Sequence, residues 1–179
     1  MTTRYTKTAI WLHWLMVLPM FAVFPLGLYM HELKLSPAKL QLYSYHKWIG
    51  ITLLMLAVLR VLWRLTHTPP PLPDSIARWQ KIASSTVHHM LYVLLLIVPL
   101  SGWLMSSAKG VQTVWFGVLP LPDLVTRDKA LGHLLENVHE SLNYLLLLLV
   151  AAHIAAALKH KLIDRDEVMA RMLPKGNKP

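Results

Sequence analysis

Histidines in apolar surroundings are the residues of this sequence best suited to chemistry. Ten histidines occur in 179 residues, and there is no cysteine. His13, His46, His139 and His153 lie within strongly apolar stretches or at their ends. A neutral imidazole can bind haem iron, and ionisable side chains inside a membrane usually face the protein interior and carry function. The pattern therefore predicts a cofactor that is held by histidine rather than by thiolate.

The composition restricts the class of protein. Hydrophobic residues make up 55% of the chain and charged residues 15%, with a mean hydropathy of +0.43. Soluble domains average about 25% charged residues. The lack of cysteine excludes a disulfide scaffold, a zinc ribbon, a Cys-ligated iron–sulfur protein and c-type haem attachment. A chain this apolar is not disordered in water, and its composition is typical of a membrane protein.

Four stretches are long and apolar enough to cross about 30 Å of hydrocarbon. They cover residues 9–30, 43–65, 87–108 and 138–158. We expect an all-α fold, an integral-membrane four-helix bundle that forms one domain over residues 1–179. The first stretch is too long for a typical signal peptide and is expected to be a retained helix. The basic tail, residues 159–179, is expected to be solvated or to face lipid.

Lysine and arginine are distributed unevenly between the ends of these spans. With the N-terminus inside, twelve of the 18 basic residues lie at inner ends and six at outer ends. Counting the acidic residues, the inner face carries +8 and the outer face +1 of the net charge of +9. The positive-inside rule then predicts that both termini are cytoplasmic. The positive net charge of the chain reflects this membrane topology, so no nucleic-acid partner is expected.

The alternating direction of the spans places four histidines at two depths. His13 lies near the inner end of the first span, and His46 lies near the outer end of the second. His139 and His153 are fourteen residues apart, so they share one helical face and are separated by about 21 Å along the axis. His153 therefore reaches the level of His13, and His139 that of His46. Two such pairs predict two haems with both axial positions filled, suited to one-electron transfer between the membrane faces.

Spacing alone leaves alternatives for several residues. His88 and His89 begin the third span at the inner level, so His88 is a competing ligand, or a residue of a quinone pocket or proton relay. Arg60 lies fourteen residues after His46 on the same face, where it either pairs with a haem propionate or snorkels to the headgroups. The remaining histidines fit ordinary interfacial positions: His31, His67, His133 and His160. The sequence contains no H-E-x-x-H zinc motif, phosphate-binding loop or nucleophile elbow.

Several short segments, in their order and spacing, resemble the bacterial cytochrome b-561 family over roughly residues 4–174. They are residues 4–7 (RYTK), 10–15 (IWLHWL), 45–51 (YHKWIGI) and 60–65 (RVLWRL), then His88, Pro99 and Gly102, then residues 138–140 (VHE), 153–158 (HIAAAL) and 171–174 (RMLP). The charged stretch 164–168 and the long outer loop depart from the family pattern. These departures leave the electron donor open.

The resemblance implies two non-covalent haems b in a multi-pass protein of the bacterial inner membrane. His13 and His153 would hold the inner haem and His46 and His139 the outer one, which makes His88 a non-ligand. Family members exchange electrons with the quinone pool, so ubiquinone is the implied acceptor. Superoxide, or a redox partner at the periplasmic face, is the candidate donor, and superoxide:ubiquinone oxidoreductase is the candidate activity.

Two other functions are consistent with the same sequence features. One is a haem-bearing membrane-anchor subunit that connects a partner dehydrogenase to quinone and has no substrate site of its own. The other is a transporter in which histidines relay protons, although the paired acids and broken repeat halves of many transporters are not found. A transporter would carry no haem and would be colourless.

Overall fold

A computed structural model describes residues 4–174, in which four long α-helices dominate. They are α1 (Lys7–Glu32), α2 (Pro37–Thr66), α3 (Arg78–Ala108) and α4 (Lys129–Lys159). Between α3 and α4 lies a short antiparallel hairpin of β1 (Val114–Trp115) and β2 (Leu119–Pro120). Each of the four helices is long and apolar enough to cross a membrane. The expected all-α membrane bundle is confirmed.

Three helices, α2, α3 and α4, begin well before the apolar stretches that predicted them, and side chains cap two of them. In α2, Pro37 occupies the first turn and the Ser36 hydroxyl accepts a hydrogen bond from the Lys39 N–H. In α4, the Asp128 carboxylate accepts one from the Leu131 N–H. These caps satisfy backbone donors that a helix start leaves free. The helices therefore start at residues 37 and 129 rather than at 43 and 138, because hydropathy detects only their apolar parts.

Neighbouring helices pack in chain order, α1 on α2, α2 on α3 and α3 on α4. We call the side with the start of α1 and the end of α4 the terminal side, and the side with the hairpin the loop side. One apolar cluster joins α1 and α2 around Met16, Leu53 and Ala57, and another joins α3 and α4 around Leu94, Val98 and Leu146. The two histidine pairs described below link α4 to α1 and to α2.

Large apolar side chains cover the outside of the bundle. Leu18 is 73% exposed and Leu148 is 65% exposed, although both lie near the middle of long apolar helices. Soluble proteins rarely expose large contiguous apolar surfaces of this kind. Lipid is the environment in which such a surface is stable, as expected for a membrane-embedded bundle.

The C-terminal segment packs against the terminal side of the bundle. It follows a π-helical turn (His160–Asp164) and ends in a 3₁₀ turn (Ala170–Met172). Arg171 is 7% exposed and donates a 2.8 Å hydrogen bond to the Pro71 carbonyl, and the Trp14 indole N–H donates one of 2.9 Å to the Met172 carbonyl. The expectation of a solvated or lipid-facing tail was wrong for residues 171–173, because each forms a hydrogen bond with a residue at least 100 positions away, which charge counting cannot reveal. Residues 175–179 of the predicted tail lie outside the described residues.

Replacing Arg171 with Ala should lower the melting temperature of the detergent-solubilised protein. The change removes a charged donor and leaves the Pro71 carbonyl without it, a loss of about 2 kcal/mol for a hydrogen bond to a charged group. Circular dichroism during heating measures the effect. Lys161→Ala is the control, because Lys161 is exposed. Equal melting temperatures for the two variants would contradict a structural role for the packed tail.

Candidate haem-binding sites

On the terminal side, the structure brings His13 of α1 close to His153 of α4. Their ring centres are 6.3 Å apart and the ring planes make an angle of 77°. His13 lies in the second turn of α1, and His153 lies two turns before the end of α4. Because the two helices run in opposite directions, these positions meet at one level of the bundle.

On the loop side, His46 of α2 and His139 of α4 form a second pair of nearly the same geometry. Their ring centres are also 6.3 Å apart, and the angle between the planes is 81°. Helix α4 thus contributes one histidine to each pair. The fourteen-residue interval keeps both on one face of that helix and separates the pairs by about 21 Å along its axis.

The distance within each pair can be compared with the geometry of a metal bound between two imidazoles. With metal–nitrogen bonds of about 2 Å, and nitrogens about 1.2 Å from their ring centres, two imidazoles on opposite sides of one metal have centres about 6.4 Å apart. Both pairs have this spacing. The ring centre of His88 lies 5.2 Å from that of His153, which is shorter than the spacing of two imidazoles on opposite sides of one metal.

Two glycines give the loop-side rings room to pack against neighbouring helices. A Cβ atom on Gly27 of α1 would lie 3.1 Å from Cε1 of His46. A Cβ atom on Gly102 of α3 would lie 3.0 Å from Cε1 of His139. Both distances are shorter than ordinary carbon–carbon contacts. Gly102 was noticed in the sequence only as part of the family pattern, and Gly27 was not singled out, because a pattern of apolar residues does not show which turn faces an imidazole.

Hydrogen bonds hold the His139 ring in a single orientation. Its Nδ1 lies 3.1 Å from the Val98 carbonyl oxygen and 2.9 Å from the Ser101 hydroxyl, which itself donates to the same carbonyl at 2.7 Å. A carbonyl only accepts, so Nδ1 carries the proton and Nε2 keeps a free lone pair. This is the arrangement that a metal-ligating histidine needs.

His46 is placed in a similar way on α1. Its ring faces the Val23 carbonyl. Its Nδ1 atom is buried and makes no hydrogen bond of standard geometry. Burying an imidazole nitrogen that has no hydrogen-bond partner costs free energy. The loop-side pair therefore fits a bound haem both by spacing and by the chemistry of its donors.

The terminal-side pair is positioned differently, by Arg60. Its Nη1 donates a 2.8 Å hydrogen bond to Nδ1 of His13, and its Nε lies 3.3 Å from the Tyr92 hydroxyl. Arginine has no acceptor, so Nδ1 of His13 accepts and the single proton of the neutral ring is on Nε2. If Nε2 of His13 were to hold iron, its proton would move to Nδ1 and Arg60 would have to leave that atom. The structure places Arg60 half-buried beside His13.

The other histidines of interest lie outside the two pairs. His88 is half-buried, with Nδ1 3.4 Å from the Ser84 hydroxyl, and His89 is exposed. His31, His67 and His133 are exposed. His160 lies in a cluster with Asp164 and Asp166 that the sequence did not predict, and Lys159 pairs with Asp164 at its edge.

Four apolar helices with two interior histidine pairs define an integral-membrane protein of the haem-binding type. The family model described as prokaryotic cytochrome b561 matches residues 4–175. Cytochrome b561 homolog 2 of Escherichia coli (strain K12) is 35% identical over 97% of this chain and 93% of its own length. Cytochrome b561 homolog 1 of the same organism is 30% identical over 96% and 98%, respectively. A probable superoxide oxidase CybB from Yersinia pestis is 25% identical over 74% and 78%.

The chain therefore belongs to the prokaryotic cytochrome b561 family, as its sequence pattern predicted. It is a multi-pass protein of the bacterial inner membrane that transfers electrons, and the family implies haem b as its cofactor. The haem class agrees with the absence of cysteine from the sequence, because covalent attachment of a c-type haem uses cysteine.

Replacing Gly102 with Ala should reduce haem binding at the loop side. The new Cβ atom would lie 3.0 Å from the His139 ring and would push it away from the position that it holds opposite His46. Haem content per chain, measured by pyridine haemochrome, should fall below that of the wild type. Gly50→Ala is the matched control, because nothing lies within 4 Å of a Cβ at that position. Unchanged haem content in the Gly102 variant would contradict the packing role of this glycine.

Proposed function

We propose that this protein carries single electrons through two haems b from a donor on the loop side to ubiquinone. His13 and His153 hold the haem on the terminal side, and His46 and His139 hold the one on the loop side. The observation that supports this most strongly is the repeated geometry of the two pairs. Each has ring centres 6.3 Å apart, and each pair comes from two different helices.

The histidines and their neighbours determine what such a site can do. Haem would supply one-electron chemistry at its iron, and a histidine pair that held it from both sides would leave no coordination position open to oxygen. Val98 and Ser101 keep the proton of His139 on Nδ1, away from the metal-binding nitrogen. The two levels lie about 21 Å apart along α4, most of the roughly 30 Å of hydrocarbon. Electrons that move between the two levels therefore cross most of the membrane.

Arg60 supports binding at the terminal side by its charge. It is half-buried, and no salt bridge joins it to a carboxylate within residues 4–174. A haem propionate next to His13 would provide that partner and would draw the guanidinium from Nδ1 of His13. The Tyr92 hydroxyl, 3.3 Å from Nε of Arg60, keeps the side chain directed into the bundle.

Superoxide is the donor that we propose for the loop side. Lys47 follows His46, and its ammonium group donates a 3.2 Å hydrogen bond to the Val111 carbonyl. A fixed positive charge next to the loop-side pair attracts a small anion. The relative from Yersinia pestis is named as a probable superoxide oxidase. The excess of Lys and Arg at the opposite ends of the helices supports a periplasmic loop side and cytoplasmic termini.

The proposed reaction balances without another co-reactant. Two superoxide ions each lose one electron and leave as dioxygen. Ubiquinone gains the two electrons and two protons and becomes ubiquinol. The protein is then a superoxide:ubiquinone oxidoreductase, and each electron passes through the chain singly.

Purified protein alone should be reduced by superoxide and then reoxidised by a short-chain ubiquinone. Stopped-flow absorbance in the haem bands follows both steps, with superoxide dismutase added in the control. Reduction that appears only with a co-purifying dehydrogenase would contradict this proposal and favour the membrane-anchor alternative. A colourless preparation would contradict both and favour a transporter.

His153→Ala should remove one of two haems and one of two steps in a reductive titration. His153 is the terminal-side partner of His13, so the loop-side haem should remain. His88→Ala is the matched control, because its ring lies at the same level but only 5.2 Å from His153. It should retain two haems. Loss of a haem in the His88 variant and none in the His153 variant would contradict the ligand assignment.

A further inference from the structure

A small pocket on the terminal side lies between the start of α1, the end of α2 and the proline-rich segment that follows. Its volume is about 70 Å³, and its lining includes Arg4, Arg60, Arg64, Trp63 and His67. A cavity of about 10–15 Å³ is enough to hold one water molecule. The pocket therefore has room for a polar group larger than water.

The three arginines give this pocket an uncompensated positive charge. All three are half-buried, and the lining residues include no aspartate or glutamate. Within residues 4–174, no salt bridge joins Arg4, Arg60 or Arg64 to a carboxylate. The lysine salt bridges of the described chain lie elsewhere, at Lys81–Asp74, Lys109–Glu136 and Lys159–Asp164. Bringing several half-buried guanidinium groups together is costly unless an anion lies among them.

The rest of the lining is arranged to hold a fixed shape. The Trp63 indole N–H donates a 3.0 Å hydrogen bond to the Thr6 hydroxyl, and the Trp63 ring stacks on His67 with centres 3.8 Å apart. Arg4 donates a 2.6 Å hydrogen bond to the Leu173 carbonyl of the packed tail. Ala9, in the first turn of the 26-residue helix α1, also lines the pocket, and the positive end of the helix dipole lies there.

Arg60 and Arg64 have different neighbours along α2. They are four residues apart, so they lie on the same helical face at a separation of about 6 Å along the axis. Arg60 is bonded to His13 and belongs to the terminal-side haem site. Arg64 lies two residues before the end of α2, which is the level of the lipid headgroups. Arg4 and Arg64 line the same pocket and can therefore bind an anion separately from Arg60.

We propose that Arg4 and Arg64 bind the phosphate of an anionic phospholipid from the leaflet on the terminal side. Arginine binds phosphate through two parallel N–H···O bonds, and basic pockets at the ends of membrane helices bind acidic headgroups. A pocket at the edge of a lipid-covered bundle is open to a headgroup whose acyl chains lie along the outside of α1 and α2. The bound lipid would link the N-terminus, α2 and the packed tail next to the terminal-side haem site.

Native mass spectrometry of the haem-loaded protein with dioctanoyl phosphatidylglycerol tests this proposal. The double variant Arg4→Gln/Arg64→Gln should bind this lipid at least tenfold more weakly than the wild type, since each lost charge near the membrane surface costs about a factor of five. The control is Lys7→Gln/Arg78→Gln, which removes the same charge from exposed residues on the same side but outside the pocket. It should bind within twofold of the wild type. Dioctanoyl phosphatidylcholine should bind the wild type more weakly than phosphatidylglycerol.

Three results would overturn the proposal. Equal lipid binding by the two double variants would show only a general surface charge effect. Displacement of the lipid by glycerol 3-phosphate or inorganic phosphate at the same concentration would identify a site for a free phosphate. Loss of haem from Arg4→Gln/Arg64→Gln, seen in the absorbance spectrum, would assign the whole pocket to a haem propionate. If the double variant does not fold, Arg64→Gln alone should weaken lipid binding about fivefold, and Arg64→Lys should bind between it and the wild type.

Discussion

An imidazole in the interior of a membrane protein has two nitrogens that need partners, and this requirement governs the arrangement of the bundle. Helix α4 carries two such rings, fourteen residues apart on one face, and each ring meets a partner from a different helix. His153 faces α1 and His139 faces α2, so the two apolar clusters of the bundle are linked through α4. The sites and the packing are therefore parts of the same arrangement.

The loop-side rings show how a helix can hold an imidazole with little more than its own backbone. The His46 ring of α2 packs against the turn of α1 between Val23 and Gly27. The His139 ring of α4 packs against the turn of α3 between Val98 and Gly102. In each case a valine carbonyl faces the ring, and a glycine four residues later leaves space for it. The terminal-side pair has a guanidinium as its neighbour instead, because Arg60 donates a hydrogen bond to Nδ1 of His13. The two sites should therefore differ in their electrostatic surroundings.

Hydropathy and helical spacing were enough to predict the four-helix membrane fold, and they placed His153 level with His13 and His139 level with His46, the pairs that lie together in the structure. They could not predict the starts of α2 and α4, which depend on the caps at Ser36 and Asp128. Gly27 and Arg60 show a second limit. Which side chain faces a given turn, and which nitrogen carries a proton, depend on the rotation of each helix, and a single sequence does not contain this information. The sequence also does not show the burial of Arg171, because the carbonyl that accepts its hydrogen bond lies 100 residues away at Pro71.

The most direct test of the proposal that each histidine pair binds one haem iron is electron paramagnetic resonance of the oxidised protein at low temperature. Two imidazoles per iron make ferric haem low-spin, and ring planes near 77° and 81° make its signal strongly anisotropic. We expect two low-spin signals of this type in a one-to-one ratio and no high-spin signal. A stoichiometric high-spin signal, or one low-spin signal per chain with a single haem, would contradict the paired-histidine sites.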